Sequence, residues 1–197
     1  MSVDLGRREQ TKAANRAAIL SAARQVFGDV GFGAASVRDI IRGTDLAAGT
    51  FYNYFPDKES IFRALVEEIA SEARRVVRAA RAAAPTPAAF VEDGYRAYFE
   101  FIVSDPANQA FLTRNAGTLR GMFDDGEIPL SIDDLAEDLQ AAVDDGRLPP
   151  VDVGYAAPVM VAIGLELGIR LLDRDPPDVD GATRFAAGLV LNGLRGT

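Results

Sequence analysis

The sequence predicts an all-α protein of about nine helices, and three observations carry that reading. Apolar residues recur at spacings of three and four almost throughout, the mark of a helix with one buried face. No stretch sustains the period-two alternation of a half-buried strand. Glycines, prolines and acidic turns cut the chain at intervals that suit helices.

The first helix is expected over Lys12 to Val30, where Ile19, Ala23, Val26, Phe27 and Val30 line one face. Gly31 ends it, because glycine accepts the left-handed conformation that closes a helix. Ser36-Val37-Arg38-Asp39 reads as a capping box and opens a short second helix with Val37, Ile40 and Ile41 on one face, stopping near Gly43 to Asp45. A third short segment, Ala47 to Phe55, ends at Pro56, since a residue before proline is pushed out of the helical region. Asp57 caps a long fourth helix, its stripe running from Ile61 and Phe62 to Val76 and Val77 and on to about Ala84. Beyond Pro85-Thr86-Pro87, helices are expected at about 87 to 104, 106 to 122, 131 to 145, 152 to 173 and 179 to 194. Their stops are Asp105-Pro106, Asp124-Asp125-Gly126, the turn from Gly146 to Pro150, and Asp175-Pro176-Pro177. There is no internal repeat.

Composition narrows the chemistry. The 197 residues suffice for two small domains, 48% of them are hydrophobic, and no apolar run approaches the roughly 18 to 20 residues of a membrane span. Met1 to Asn15 is polar throughout, unlike a secretory signal. With no Cys and no His there is no disulfide framework, thiol redox chemistry, His/Cys zinc site or His-assisted nucleophile. A cytoplasmic, non-enzymatic protein without cofactor, metal or catalytic residues is the expectation. Asp178-Val179-Asp180-Gly181 lacks the remaining ligands of a calcium loop and reads as a solvated turn, and Gly28, Gly31 and Gly33 follow a helix rather than the strand of a nucleotide-binding signature. The net charge is −8, but it is segregated: residues 1–63 hold nine Lys and Arg against seven Asp and Glu, and the remainder twelve against twenty-two. Anion binding, if any, belongs to the N-terminal third.

Three short helices followed by a long one, with a tight turn between the second and third, suit a helix-turn-helix. The string Gly49-Thr50-Phe51-Tyr52-Asn53-Tyr54-Phe55-Pro56-Asp57-Lys58-Glu59, preceded by Ser36-Val37-Arg38-Asp39-Ile40, closely resembles the DNA-binding domain of the TetR family of regulators, over about residues 15 to 65. The resemblance implies an N-terminal three-helix DNA-binding domain, residues 1–57, joined by a long helix to a helical effector-binding and dimerisation domain, residues 58–197. It also implies roles. Gly49 lets the backbone approach the duplex, while Thr50, Tyr52, Tyr54, Lys58, Ser36 and Arg38 touch phosphates. Ala47, Ala48, Phe51 and Asn53 read bases, since Asn can bond adenine bidentately and an apolar group can touch a thymine methyl. Phe55 is assigned to the core. Arg7, Arg8 and Lys12 form either a basic arm or an inconsequential tail. Packing of Tyr52, Tyr54 and Phe55 as an aromatic cluster is compatible with these roles. Three positions depart from the family pattern: Asp45 stands for Gly in the turn, Thr44 and Ile41 for small Ala, and Ala47 for a capping Ser.

The expected helix 87–104 is apolar around more than one face, as an interior helix is. Tyr95, Tyr98, Phe99 and Ile102 on it, with Phe111, Arg114, Asn115, Met122, Phe123 and Met160, are candidate linings of a ligand cavity, where Arg114 would meet a carboxylate or phosphate. For each of them an ordinary packed core is an equal alternative. Small and apolar residues mix in the last two helices, and Met160, Gly164, Leu167, Leu171, Leu189 and Leu194 are candidates for a four-helix interface between two copies. The expected partners are an operator duplex, a small, largely apolar effector of unknown identity and a second copy of the chain, with no membrane. Two other classes stay open: a helical ligand-binding dimer without DNA recognition, and an enzyme built on paired carboxylates.

Overall fold

The computed structural model describes residues 2–124 and 132–194, and every regular element among them is a helix. In order these are α1 (Ser2–Val30), α2 (Val37–Arg42), α3 (Ala48–Tyr52), α4 (Lys58–Ala83), α5 (Pro87–Ser104), α6 (Pro106–Arg114), α7 (Ala116–Asp124), α8 (Ile132–Asp144), α9 (Val153–Leu172) and α10 (Val179–Leu194).

The chain punctuates itself much as expected. Gly31 sits at φ 81° and its N–H reaches the Phe27 carbonyl, closing α1. Ser36 and Asp39 form the reciprocal capping box of α2. Asp57, Thr86, Asp105 and Asp152 cap α4, α5, α6 and α9 through their side chains, and Pro87 and Pro106 occupy first helical positions.

Three boundaries differ, and the simplest is that of α3, a single turn ending at Tyr52 rather than running to Phe55. α1 begins at Ser2 rather than Lys12: residues 6–14 are exposed on every side, so this segment is helical without the apolar stripe that marks a helix in sequence. The expected helix over 106–122 divides into α6 and α7 at Asn115, where no proline or glycine announces a break. Asn115 leaves helical geometry at φ −111° and ψ 14°, and its side-chain amide donates to the carbonyls of Phe111 and Phe27.

There are two apolar cores. The N-terminal one gathers Ile19, Phe27, Ile40, Phe51, Phe62 and Leu65 and also takes in Phe111 of α6 and Leu119 of α7. The second joins α5 to α8, α9 and α10 through Phe90, Tyr95, Phe99, Leu139, Met160 and Ala186. The first half of α4 contributes Ile61 to Ile69 to the N-terminal core, and its second half runs on along α5. α9 corrects one expectation, since among the described residues it is a helix long and apolar enough to cross a membrane, with a mean hydropathy of 1.6. It nevertheless packs against α5, α8 and α10 and buries Ala157, Met160, Gly164, Gly168 and Leu171 among them.

Candidate nucleic-acid interface and interior cavity

α3 stands on the N-terminal unit with its outer edge in solvent. Ala47, Ala48, Gly49 and Asn53 are exposed, Tyr52 is 54% exposed, and Thr50 and Tyr54 are half-buried. A Cβ added at Gly49 would meet nothing within 4 Å, so the backbone there is open to close approach. The α2–α3 turn works despite its departures from the family pattern. Asp45 needs no left-handed conformation, because no described non-glycine residue has positive φ. Thr44 donates to the Ile41 carbonyl and accepts from the Leu46 N–H, fastening the turn with its own hydroxyl. Gly43 is needed for packing, since a Cβ there would lie 3.0 Å from that of Ala22 on α1. Ala47 leaves α3 without a side-chain cap.

The early residues of α1 lie beside this edge. Arg7, Arg8, Thr11 and Lys12 line a groove with Thr50, Asn53 and Tyr54, and Asn15 Nδ2 donates to the Tyr54 hydroxyl at 3.1 Å. Ser36 and Arg38 are exposed at the start of α2. The groove thus carries three cations and several hydroxyl and amide groups next to α3, a composition suited to phosphate.

Two residues named from sequence for DNA contact sit elsewhere. Phe51 is fully buried in the N-terminal core, its edge 5.7 Å from the Tyr52 ring centroid to centroid, because α3 is a single turn that needs one large anchor. Lys58 turns inward: its Nζ donates to the carbonyls of Phe32 at 2.9 Å and Ala35 at 3.1 Å and stands 4.6 Å from the Phe32 ring centroid. It ties the α1–α2 loop to α4 instead of reaching for phosphate. Phe55 is core, as expected from sequence.

Between α4, α5, α6, α7 and α9 lies a cavity of about 950 Å³, large enough for a sizeable organic molecule. Tyr95, Tyr98, Ile102, Phe111 and Met160 all reach its wall. Four other sequence candidates do not. Phe99 is packed behind the wall between Tyr95 and Tyr98, and Met122 packs on the N-terminal core. Arg114 is exposed, with its stem against Gly31, and Asn115 is buried in the contact between α1 and α6. The side chain of Phe123 lies outside the described residues.

Burial pushes the Tyr98 hydroxyl up to about 12, and it makes no hydrogen bond to a described residue. Burial raises Tyr95 as well, although its hydroxyl donates to the Met160 carbonyl at 3.0 Å. The wall also holds residues that sequence reasoning missed, chiefly the inner face of α4, with Val66, Ile69 and Arg81. α4 offers Arg74, Arg78 and Arg81 along one face. The first two pair with Asp134 and Asp138 of α8, and Arg81 has no ion pair among the described residues. Comparing the acids of α8 with those arginines could have singled it out.

The interface candidates divide in the same way. Met160, Gly164 and Leu171 face the interior, and Gly168, next on that face, would clash with Tyr98 and Ile102 if it carried a Cβ. Leu167 is half-buried, Leu189 is 53% exposed, and the side chain of Leu194 lies outside the described residues. The apolar surface of α9 and α10 instead centres on Tyr155, Val159, Phe185 and Leu189, each more than half exposed. The acidic turn holds no ion-like arrangement: Asp178 accepts from the Gly181 N–H, and Asp180 pairs with Arg96 at 2.6 Å.

Residues 19–65 match the model of bacterial regulatory proteins of the tetR family. The fold is similar to that of the fatty acid degradation regulator FadR from Bacillus halodurans, at 21% identity and a TM-score of 0.74, covering 91% of this chain and 96% of that one. A TetR-family transcriptional regulator from Pectobacterium atrosepticum is similar at 23% identity and a TM-score of 0.69, with 93% and 94% covered. A TetR-like regulator from a Rhodococcus species gives 21% identity and a TM-score of 0.64, with 91% and 94% covered.

Proposed function

We propose that this chain, a TetR-family regulator by its DNA-binding domain at residues 19–65 and by its fold, is a dimeric repressor released from its operator by a small effector in the interior cavity. The observation that carries the DNA-binding part is the exposed edge of α3 beside the cationic groove of α1. Tyr52, Asn53, Ala47, Ala48 and Gly49 enter the major groove, while Arg38, Ser36, Thr50, Tyr54 and the Arg7, Arg8, Lys12 cluster hold the backbone. The division at residues 57 and 58 belongs to this reading, with α4 as the connecting element.

Two copies pair through the exposed apolar face of α9 and α10 in a four-helix contact. A two-fold axis then demands a near-palindromic operator with half-sites about one helical turn, roughly 34 Å, or a multiple of it apart. The effector acts through shared residues: Val66, Ile69, Phe111 and Leu119 belong both to the cavity wall and to the N-terminal core. A guest that moves α4 or α6 therefore shifts the reading heads, and the duplex loses one of its two half-sites. The protein works in the cytoplasm, without cofactor and without catalysis. Gel-shift titration against the DNA upstream of its own gene, over several salt concentrations, tests the reading: preference over random DNA is expected, and equal affinity for both overturns it.

A further inference from the structure

We propose that Arg81 is the anchor for the carboxylate of an amphipathic acid whose apolar tail fills the cavity between α4, α5 and α9. This rests on the reading of the cavity as the effector site and names the ligand's chemistry. The Arg81 Nε is buried with no hydrogen-bond partner among the described residues, although a guanidinium has five donors to satisfy. Arg74 and Arg78 are held by Asp134 and Asp138, and continuing the α8 spacing brings Ala141 and Ala142 rather than a third acid. The seat is made by Gly94 of α5: a Cβ there would lie 2.8 Å from the Arg81 Nε. The Phe90 ring, 5.7 Å from the guanidinium carbon, closes one side.

The Arg81 Nε is desolvated and unbonded, with only the more distant charge of Asp138, itself paired with Arg78, acting against that burial, and an incoming anion removes the cost. The Tyr98 hydroxyl lies on the same wall, beside Gly168, and makes no hydrogen bond to a described residue, so the wall carries a second donor. One unpaired cation matches a monoanion. A doubly charged phosphate would have to break the Arg74 and Arg78 pairs. The wall also includes Ile102, Phe101, Leu165 and Phe111, apolar surface suited to the tail.

The test is direct binding of dodecanoate, dodecan-1-ol and dodecyltrimethylammonium to the full-length protein by calorimetry. Dodecanoate is expected to bind best, and Arg81→Met to weaken it about ten- to a hundred-fold while leaving dodecan-1-ol unchanged. Free Arg81→Met protein is expected to melt no lower than the wild type, because the substitution removes a desolvated donor with no hydrogen-bond partner; a structural arginine would give a lower melting temperature. Gly94→Ala, which crowds the guanidinium, is the second variant and should also weaken dodecanoate. Equal binding of acid and alcohol, undiminished dodecanoate binding by both variants, or no dodecanoate binding by folded wild type overturns the proposal. A gel shift with added dodecanoate separates the two readings. Binding through Arg81 without release of DNA supports this proposal and removes the effector role.

Discussion

The Asn115 Oδ1 accepts the backbone N–H of Phe32 at 2.7 Å across 83 positions of sequence, and its Nδ2 donates to the Phe27 carbonyl at 2.9 Å. One side chain thereby fastens the junction of α6 and α7 to the end of α1. Gly28 makes this approach possible, since a Cβ there would lie 3.3 Å from that of Ala110. The Phe111 ring packs at a tilt against Phe62 and Phe27 beside the same junction, at centroid distances of 5.3 and 6.4 Å. The link between cavity and reading head is therefore a packed and hydrogen-bonded contact, not a linker.

Replacing Asn115 with Ala leaves the Phe32 N–H without this partner and takes one of two donors from the Phe27 carbonyl, which keeps the Gly31 N–H, at a cost of about 1–3 kcal/mol. A melting temperature lowered by several degrees is expected, together with a weaker response of operator affinity to effector. Unchanged melting by calorimetry would remove Asn115 from this role.

Lys58→Met is expected to lower stability by about 1–3 kcal/mol, since it strips two carbonyls of a charged donor, yet to leave the salt dependence of DNA binding unaltered. Arg38→Ala is the opposite case: exposed at the start of α2, it should leave the melting temperature alone and reduce the salt slope by about one. Gel shifts between low and moderate salt, paired with thermal melts, check both. A lower slope for the Lys58 variant would return that residue to the phosphate contacts.

Leu189→Glu places a charge in the exposed apolar face of α10. Light scattering is expected to show monomers with wild-type helicity by circular dichroism and little DNA binding. A variant that stays dimeric locates the interface on another face.

High pH should open the packing around α5. The Tyr98 hydroxyl is raised by burial from 10.0 to about 12, so the folded form keeps a proton that the unfolded form releases first. The contribution is complete below pH 10 and is lost as pH rises towards 12. Tyr98→Phe has no such proton to lose and should unfold at higher pH than the wild type, followed by circular dichroism. Identical alkaline midpoints would show that the hydroxyl is not desolvated.

Periodicity and capping residues were enough to place α2, α4, α5 and α10, because each of these signals is local. The Gly49 to Lys58 string marked α3 and the start of α4 for the same reason. The residues it grouped by spacing then parted in space: α3 is one turn long, so Tyr52 and Asn53 face out where Phe51 faces in. The sequence points Lys58 at phosphate because no local pattern pairs it with carbonyls more than twenty positions away.

By itself the sequence determined an all-helical chain, most of its breaks, and the segment that matches the tetR-family model. Tertiary structure alone decided which side of α9 is interior, that α6 and α7 bend at Asn115, and that Arg81 lies unpaired beside a cavity. Helix caps and stripes depend on neighbours within a turn, whereas a cavity and its charges depend on which helices happen to meet, and those contacts lie far apart along the chain.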